Sequence, residues 1–212
     1  MIVAVTGTPG TGKSTATERL RPASERGPGD GESGKKESGE KSEENEKEEK
    51  EEKEEKEGEA RVDLDTPLEV IHLNEVVREE DLTTGHDAER ESAIADLDAV
   101  REWLDNREDV LLESHLAHHV DADRVIVLRC HPAEIERRLR ERGESEASAR
   151  ENAESEALDV ILAEAVERHG RDAIYEIDAT DRTPDEVAAE IAAVVAGERE
   201  PSAGDVAFTD YL

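Results

Sequence analysis

Residues 7–14 read Gly7-Thr8-Pro9-Gly10-Thr11-Gly12-Lys13-Ser14, the full pattern G-x-x-x-x-G-K-[ST]. The β-branched run "IVAVT" precedes it at residues 2–6, and a helix-forming stretch follows at 13–21. This context constrains the chain more than any other feature. A buried strand that leads through glycines straight into a helix starts a parallel sheet with helices packed on it. The glycines let successive backbone N–H groups turn inward as an anion-binding nest at a helix N-terminus. A phosphate-binding loop is therefore expected here.

Lys13 is singled out by composition. The other lysines all fall between Lys35 and Lys56, and none follows to Leu212. A chain that uses arginine almost everywhere keeps lysine where a compact point charge must reach the β- and γ-phosphates. Arginine's planar fork fits such a cradle badly. The formal net charge is −31, from 58 acidic and 27 basic residues. Such a surface repels nucleic acid, which excludes non-specific binding to it, and anionic membranes as well. No apolar run approaches the roughly 18 residues that span a bilayer. The N-terminus has no signal-peptide pattern. The single cysteine, Cys130, fits a reducing cytoplasm and, within "RVIVLRC", a buried inert thiol.

Residues 22–61 carry 16 acidic and 9 basic side chains, and their only apolar residues are Ala23 and Ala60. They cannot supply a core and read as an acidic, low-complexity, disordered insert. The other 172 residues still hold 42 acidic against 18 basic side chains. Such acidic, lysine-poor composition resembles cytosolic proteins of salt-loving microbes. Molar salt shortens the Debye length to about 3 Å and screens the self-repulsion, so the fold is expected to loosen in dilute buffer.

Further strands are expected at 68–73, 110–113, 124–129 and 173–178. Helices are expected at 87–106, with Ile94, Leu97, Val100 and Trp103 or Leu104 inward; after Pro132; as one long element through "EASARENAESEALDVILAEAVERH", with Ala153, Leu158, Ile161 and Ala165 inward; and through "TPDEVAAEIAAVV" (183–195). Thr183, Pro184 and Glu186 form a capping box for the last of these. Strands alternating with helices mean an α/β doubly wound parallel sheet. One domain would comprise 1–21 and 62–196, followed by a frayed tail, 197–212.

"DVLLESH" ends an apolar strand on Glu113, followed by Ser114 and His115. Ligands of open α/β sheets sit beyond the carboxyl ends of the strands, so Glu113 is expected to face Mg²⁺ together with Ser14. "HLAHH" brings together His115, His118 and His119, but irregular spacing and one distant cysteine argue against a zinc site. "ERRLRERG" sets Arg138 and Arg142 one helical turn apart before Gly143 and a polar stretch to Glu151, the pattern of a mobile lid that brings a cation to a transferring phosphoryl group.

"TGTPGTGKST", "HLNEVVREEDLTTGHD", "LLESH", "VIVLRC", "RLRERG" and "ENAESEAL" together resemble the nuclear-type (isoenzyme 6-like) adenylate kinases and their archaeal branch. The resemblance covers residues 1–20 and about 63–196. It implies a P-loop nucleoside monophosphate kinase fold, the reaction ATP + AMP ⇌ 2 ADP with Mg²⁺, weaker ATPase activity, and a part in small-ribosomal-subunit maturation through the platform protein and pre-ribosomal particles. Carried over by position, Gly7, Gly10, Thr11, Gly12, Lys13, Ser14 and Thr15 bind ATP, residues 72–95 form the NMP-binding region, and 141–151 form the lid. Arg142 is then the ATP-contacting lid arginine and Arg78 a phosphate contact for the NMP. The family's Asp-x-His element matches Glu113-Ser114-His115, with acid and histidine serving Mg²⁺ and hydrolysis. Two departures stand out: Glu replaces the family's Asp at 113, and Glu144 replaces the lid's usual aromatic. Two alternatives remain, a ribosome-assembly ATPase without significant AMP kinase activity and a P-loop kinase of another small acceptor.

Overall fold

The strand ahead of the glycine-rich loop takes the centre of the sheet, where both of its faces are buried. The computed structural model describes residues 1–21, 62–64, 66–87, 92–105 and 107–211. In chain order the strands are β1 (Ile2–Thr6), β2 (Leu20–Arg21), β3 (Val62–Asp63), β4 (Glu69–His72), β5 (Thr83–Asp87), β6 (Ser92–Ala95), β7 (Val110–Glu113), β8 (Arg124–Arg129) and β9 (Ile174–Asp178). The helices are α1 (Lys13–Thr17), α2 (Leu73–Glu79), α3 (Leu97–Leu104), α4 (Pro132–Glu141), α5 (Glu146–Ala157), α6 (Val160–His169) and α7 (Pro184–Ala196). The main sheet runs β4-β7-β1-β8-β9, with every pairing parallel. It is the doubly wound α/β arrangement expected.

Side-chain alternation along the strands separates two cores. Val3, Val5, Leu111, Ile126, Leu128 and Ile177 pack on one face, against Ala16 of α1 and Val187, Ile191 and Val194 of α7. Ala4, Val110, Leu112, Val125, Val127 and Ile174 pack on the other, against Val100 and Leu104 of α3 and Leu162 and Ala165 of α6. The capping box of α7 forms as expected: the Thr183 hydroxyl accepts from the Glu186 N–H, and the Glu186 carboxylate accepts from the Thr183 N–H.

Four elements differ from expectation. The helix expected over 13–21 stops at Thr17, whose hydroxyl donates to the carbonyls of Lys13 and Ser14. Leu20 turns into the core, and β2 pairs in parallel with β3, so the chain leaves after Arg21 beside the point where it returns at Val62. The insert 22–61 itself lies outside the described residues. Instead of one helix over 87–106, β5 and β6 form an antiparallel hairpin that leaves Ile94 exposed. Helix α3 then starts only at Leu97, because the Asp96 carboxylate caps the N–H groups of Asp98 and Ala99.

The long helix expected across 146–169 breaks at Asp159, which takes a left-handed φ of 55°. Arg129, far away in sequence, holds both the Asp159 carboxylate and the Glu156 carbonyl, and Leu158 is left exposed rather than inward. The tail does not fray. The Ser202 N–H donates to the Ile174 carbonyl at 2.9 Å, Ala203 and Phe208 are buried, and the Tyr211 hydroxyl donates to Glu136 at 3.0 Å.

Candidate active site

The loop between β1 and α1 is shaped by contacts that only glycine permits. At Gly7, with φ 142°, a Cβ would fall 2.3 Å from the backbone oxygen of Leu128 on β8, so the chain passes against the neighbouring strand without a side chain. Gly12, with φ 95°, turns the chain into α1 in a left-handed conformation. Lys13 is buried, and its Nζ donates to the carbonyls of Gly7 at 2.7 Å and Thr8 at 3.1 Å. Burial lowers its pKa to about 8, while Glu113 and Glu156 pull the other way. Among the described residues no carboxylate is hydrogen-bonded to this ammonium, which suits a group that awaits an anionic ligand. Ser14 and Thr15 are exposed at the start of α1.

The acid comes from the adjacent strand. Parallel pairing sets Val5 opposite Glu113 and, on the other side of β7, His72 opposite Glu113. Glu113 is buried, and its Oε2 lies 2.9 Å from His72 Nδ1. That hydrogen bond raises the pKa of His72 against the effect of burial. The Ser114 hydroxyl donates to Asn74 Oδ1 at 2.9 Å, which ties the end of β7 to α2. His115 sits beside these groups, its pKa lowered by burial and then by Lys13, so the ring is neutral at neutral pH.

Helix α4 brings the arginines. Arg142 caps its C-terminus and faces the loop, and Glu144 follows. Arg138 plays a supporting part, with Nη1 donating to the Gly10 carbonyl at 3.1 Å and Nη2 pairing with Glu134 at 2.5 Å. Leu139 packs where a Cβ on Gly10 would meet it. Together these elements enclose a cavity of about 380 Å³ whose lining includes Lys13, Ser14, Thr15, Glu113, His115 and Arg142.

Behind the loop lies a second charged cluster. The Thr8 hydroxyl donates to Glu156 Oε2 at 2.5 Å. Arg129, fully buried at the end of β8, donates to Glu156 at 2.7 Å and to Glu176 at 2.6 Å, and also pairs with Asp159. Burial works against its charge, yet Glu156 and Asp159 hold it protonated above the ordinary arginine range. Glu176 in turn accepts from the Gly204 and Asp205 N–H groups of the tail. Cys130 is buried next to this cluster, and burial pushes its thiol up to about 11, which makes it inert.

Of the residues expected at the site, Gly10, Gly12, Lys13, Ser14, Thr15, Glu113, His115 and Arg142 line the cavity, whereas Gly7 and Thr11 are buried in the loop and do not line it. Arg78 does not line the cavity; its Nε donates to the Asn74 carbonyl within α2, one turn away. Asn74 takes the place at the wall instead. Asn74 and His72 fell within the expected NMP-binding region but were not singled out, because a role for them depends on β4 pairing with β7 rather than with β1. His118 and His119 lie away from the cavity.

Comparison with known proteins gives a consistent picture. The profile of a family described as an AAA domain matches residues 3–159. A protein of Natronomonas pharaonis named "Putative adenylate kinase" is 49% identical over 212 residues, covering 100% of both chains. One from Halobacterium salinarum with the same name is 49% identical over 213 residues, again covering 100% of both. A Methanosarcina acetivorans protein, also so named, is 44% identical over 136 residues, 59% of this chain and 72% of its own.

Proposed function

The chain belongs to the adenylate-kinase-like family of P-loop proteins that these relatives represent, and from that premise we propose that it transfers the γ-phosphoryl group of ATP to AMP, yielding 2 ADP. The observation that carries this reading is the single cavity in which the loop, Lys13, Glu113, His115 and Arg142 converge.

Phosphoryl transfer asks for positioning and charge neutralisation rather than covalent help. The loop N–H groups hold the phosphates of ATP. Lys13 exchanges its carbonyl partners for the β- and γ-phosphates, and Arg142 closes over the transferring group from the C-terminus of α4. The donors beside the loop, a Ser14 hydroxyl and a Glu113 carboxylate, are all hard oxygens and suit Mg²⁺. Ser14 and Glu113 would hold Mg²⁺, which would supply positive charge to offset that of the phosphates. His72 holds the Glu113 carboxylate in the orientation that faces the cavity. Asn74 and Arg78 stand one turn apart on α2, so the same helix offers the cavity wall and a cation for the phosphate of AMP.

Weaker ATP hydrolysis is part of this reading. His115 is neutral and lines the cavity beside Glu113, able to orient a water when no acceptor is bound. His115→Ala is expected to reduce ATP hydrolysis more than AMP phosphorylation, and equal losses in the two assays would remove that role. A part in small-ribosomal-subunit maturation, through the platform protein, rests on the resemblance alone. ATP-dependent co-purification with small-subunit precursors tests it. The deciding experiment for the main reading is an acceptor screen with AMP, CMP and water at molar KCl. Turnover on AMP well above both others is the expected result; equal or faster turnover on another acceptor overturns it.

A further inference from the structure

Among the described residues, one set of metal-ligating side chains gathers outside the nucleotide cavity. His118 and His119 belong to the short 3₁₀ turn Ala117–His119, Glu164 belongs to α6, and one ligand atom from each lies within 4.8 Å of the others. We propose that these three side chains bind a first-row divalent cation of the zinc class as a structural ion behind the phosphate loop, with water completing a tetrahedral shell.

The geometry starts with His118 and Glu164. Nε2 of His118 and Oε2 of Glu164 are 3.1 Å apart. Two ligands at 2.0–2.1 Å on a tetrahedral ion would be about 3.4 Å apart, so this pair already sits near its coordinating distance. His119 lies against His118, ring centroids 4.1 Å apart and planes tilted by 41°, with one ligand atom within 4.8 Å of those of His118 and Glu164. Ligating histidines usually have their second nitrogen fixed by another group. Nδ1 of His118 lies 2.9 Å from the Thr6 hydroxyl at the end of β1.

The Thr6 hydroxyl sharpens the case. It also lies 3.2 Å from the His115 carbonyl, and it has one proton to give. A carbonyl can only accept, so when that proton goes to His115, Nδ1 of His118 must donate to Thr6. Nε2 then turns a lone pair toward the Glu164 carboxylate, an arrangement that a divalent cation between them satisfies.

The scaffold is set before any ion arrives. His169 Nε2 lies 2.7 Å from the His118 carbonyl, and Arg101 donates to the His119 carbonyl at 3.1 Å, so α6 and α3 both hold the turn. The nearby cations are already engaged, Arg168 with Asp121 and Arg101 with Asp98. His118 is 2% exposed and Glu164 49%, which gives the site a closed inner wall and one open side for entry and for water.

The test uses the full untagged chain, stripped with a chelator and kept in molar KCl without nucleotide. Titration with Co²⁺ should produce visible d–d bands of a nitrogen-containing tetrahedral site that saturate at one equivalent, and one equivalent of Zn²⁺ should displace them. Zn²⁺ should also raise the thermal midpoint. Glu164→Gln and His119→Ala should each weaken Co²⁺ binding about tenfold or more, and Thr6→Val by about 10–100-fold. Glu113→Gln should leave the bands unchanged. Absence of a stoichiometric band overturns the proposal, as does a band that survives both Glu164→Gln and His119→Ala or disappears in Glu113→Gln.

Discussion

Lys13 and Arg129 are both buried cations near the carboxyl ends of neighbouring strands, and the fold treats them in opposite ways. Arg129 is surrounded by Glu156, Glu176 and Asp159, which hold it charged in spite of burial. Lys13 is given two carbonyls, and burial brings it down to about 8. One charge is neutralised by the chain itself, whereas the other is left short of anionic partners at the mouth of a cavity. The difference tells a structural cation from one kept for a ligand, and it explains why lysine persists at 13 in a chain that otherwise favours arginine. The two are linked, since Glu156 holds Arg129 with one oxygen and the Thr8 hydroxyl with the other.

Replacing each cation by a neutral side chain is the strongest way to break this comparison. Lys13→Met is expected to cost several orders of magnitude in turnover, about 1.4 kcal/mol of barrier for each tenfold. Because the Lys13 ammonium is hydrogen-bonded to the Gly7 and Thr8 carbonyls, which water can reach once the side chain goes, the unfolding midpoint should move little. Activity retained above a tenth of wild type would sink the assignment of this loop to catalysis. Arg129→Met should do the reverse. It leaves Glu156 and Glu176 buried without their partner, a loss of about 3–5 kcal/mol. Denaturant unfolding in molar KCl measures it, and a change below about 1 kcal/mol would show that the cluster is not needed.

A pH series sharpens the contrast. The folded pKa of Lys13, about 8, lies below its ordinary value of 10.5, so between these limits the unfolded chain binds more protons than the folded one. This group's contribution to stability therefore rises with pH across that window, by up to about 1.4 kcal/mol per unit. Nucleotide affinity should move the other way, falling above pH 8 as the free protein loses the charge the phosphates need. Calorimetric titration of Mg-ATP near pH 9 should show proton uptake in the wild type and none in Lys13→Met. Equal uptake in both would place the titrating group elsewhere.

The smallest effect is expected at the insert. Lengthening a loop costs about 0.6 kcal/mol per doubling, and β2 pairs with β3 across its base. Joining Arg21 to Val62 through a few glycines should leave unfolding midpoints and AMP phosphorylation rates nearly unchanged. A tenfold fall in kcat would show that residues 22–61 reach the site.

How much of this was legible in the sequence depended on range. The strand and loop of the phosphate-binding unit, the capping box at Thr183 and the apolar strands rest on neighbouring residues and formed as expected, whereas the helix after the loop ended early, at Thr17. The break at Asp159 rests on Arg129, 30 positions away, and no local pattern announces it. The docked tail depends on Glu176 in the same way. At the site, the loop, Glu113, His115 and Arg142 converged because each ends a strand or helix that points to one edge of the sheet. Arg78 stayed off the cavity wall because it lies one turn beyond Asn74 on α2. His72 could be found only once the strand order was known, since it reaches Glu113 through the β4–β7 register.

The chain of contacts from Thr8 through Glu156 and Arg129 to Glu176 and the tail has a consequence for the order of events during synthesis. The glycine-rich loop leaves the ribosome before any of its backing. Arg129 follows long afterwards, and Glu176 comes 47 residues later still. At about 5–20 residues per second, that last interval is roughly 2–10 s. Through it, the arginine lacks one of its partners and Glu176 has yet to meet the N–H groups of Gly204 and Asp205. The nascent chain therefore carries its phosphate loop early and sets it late, with the backing behind Thr8 completed only once Gly204 and Asp205 emerge.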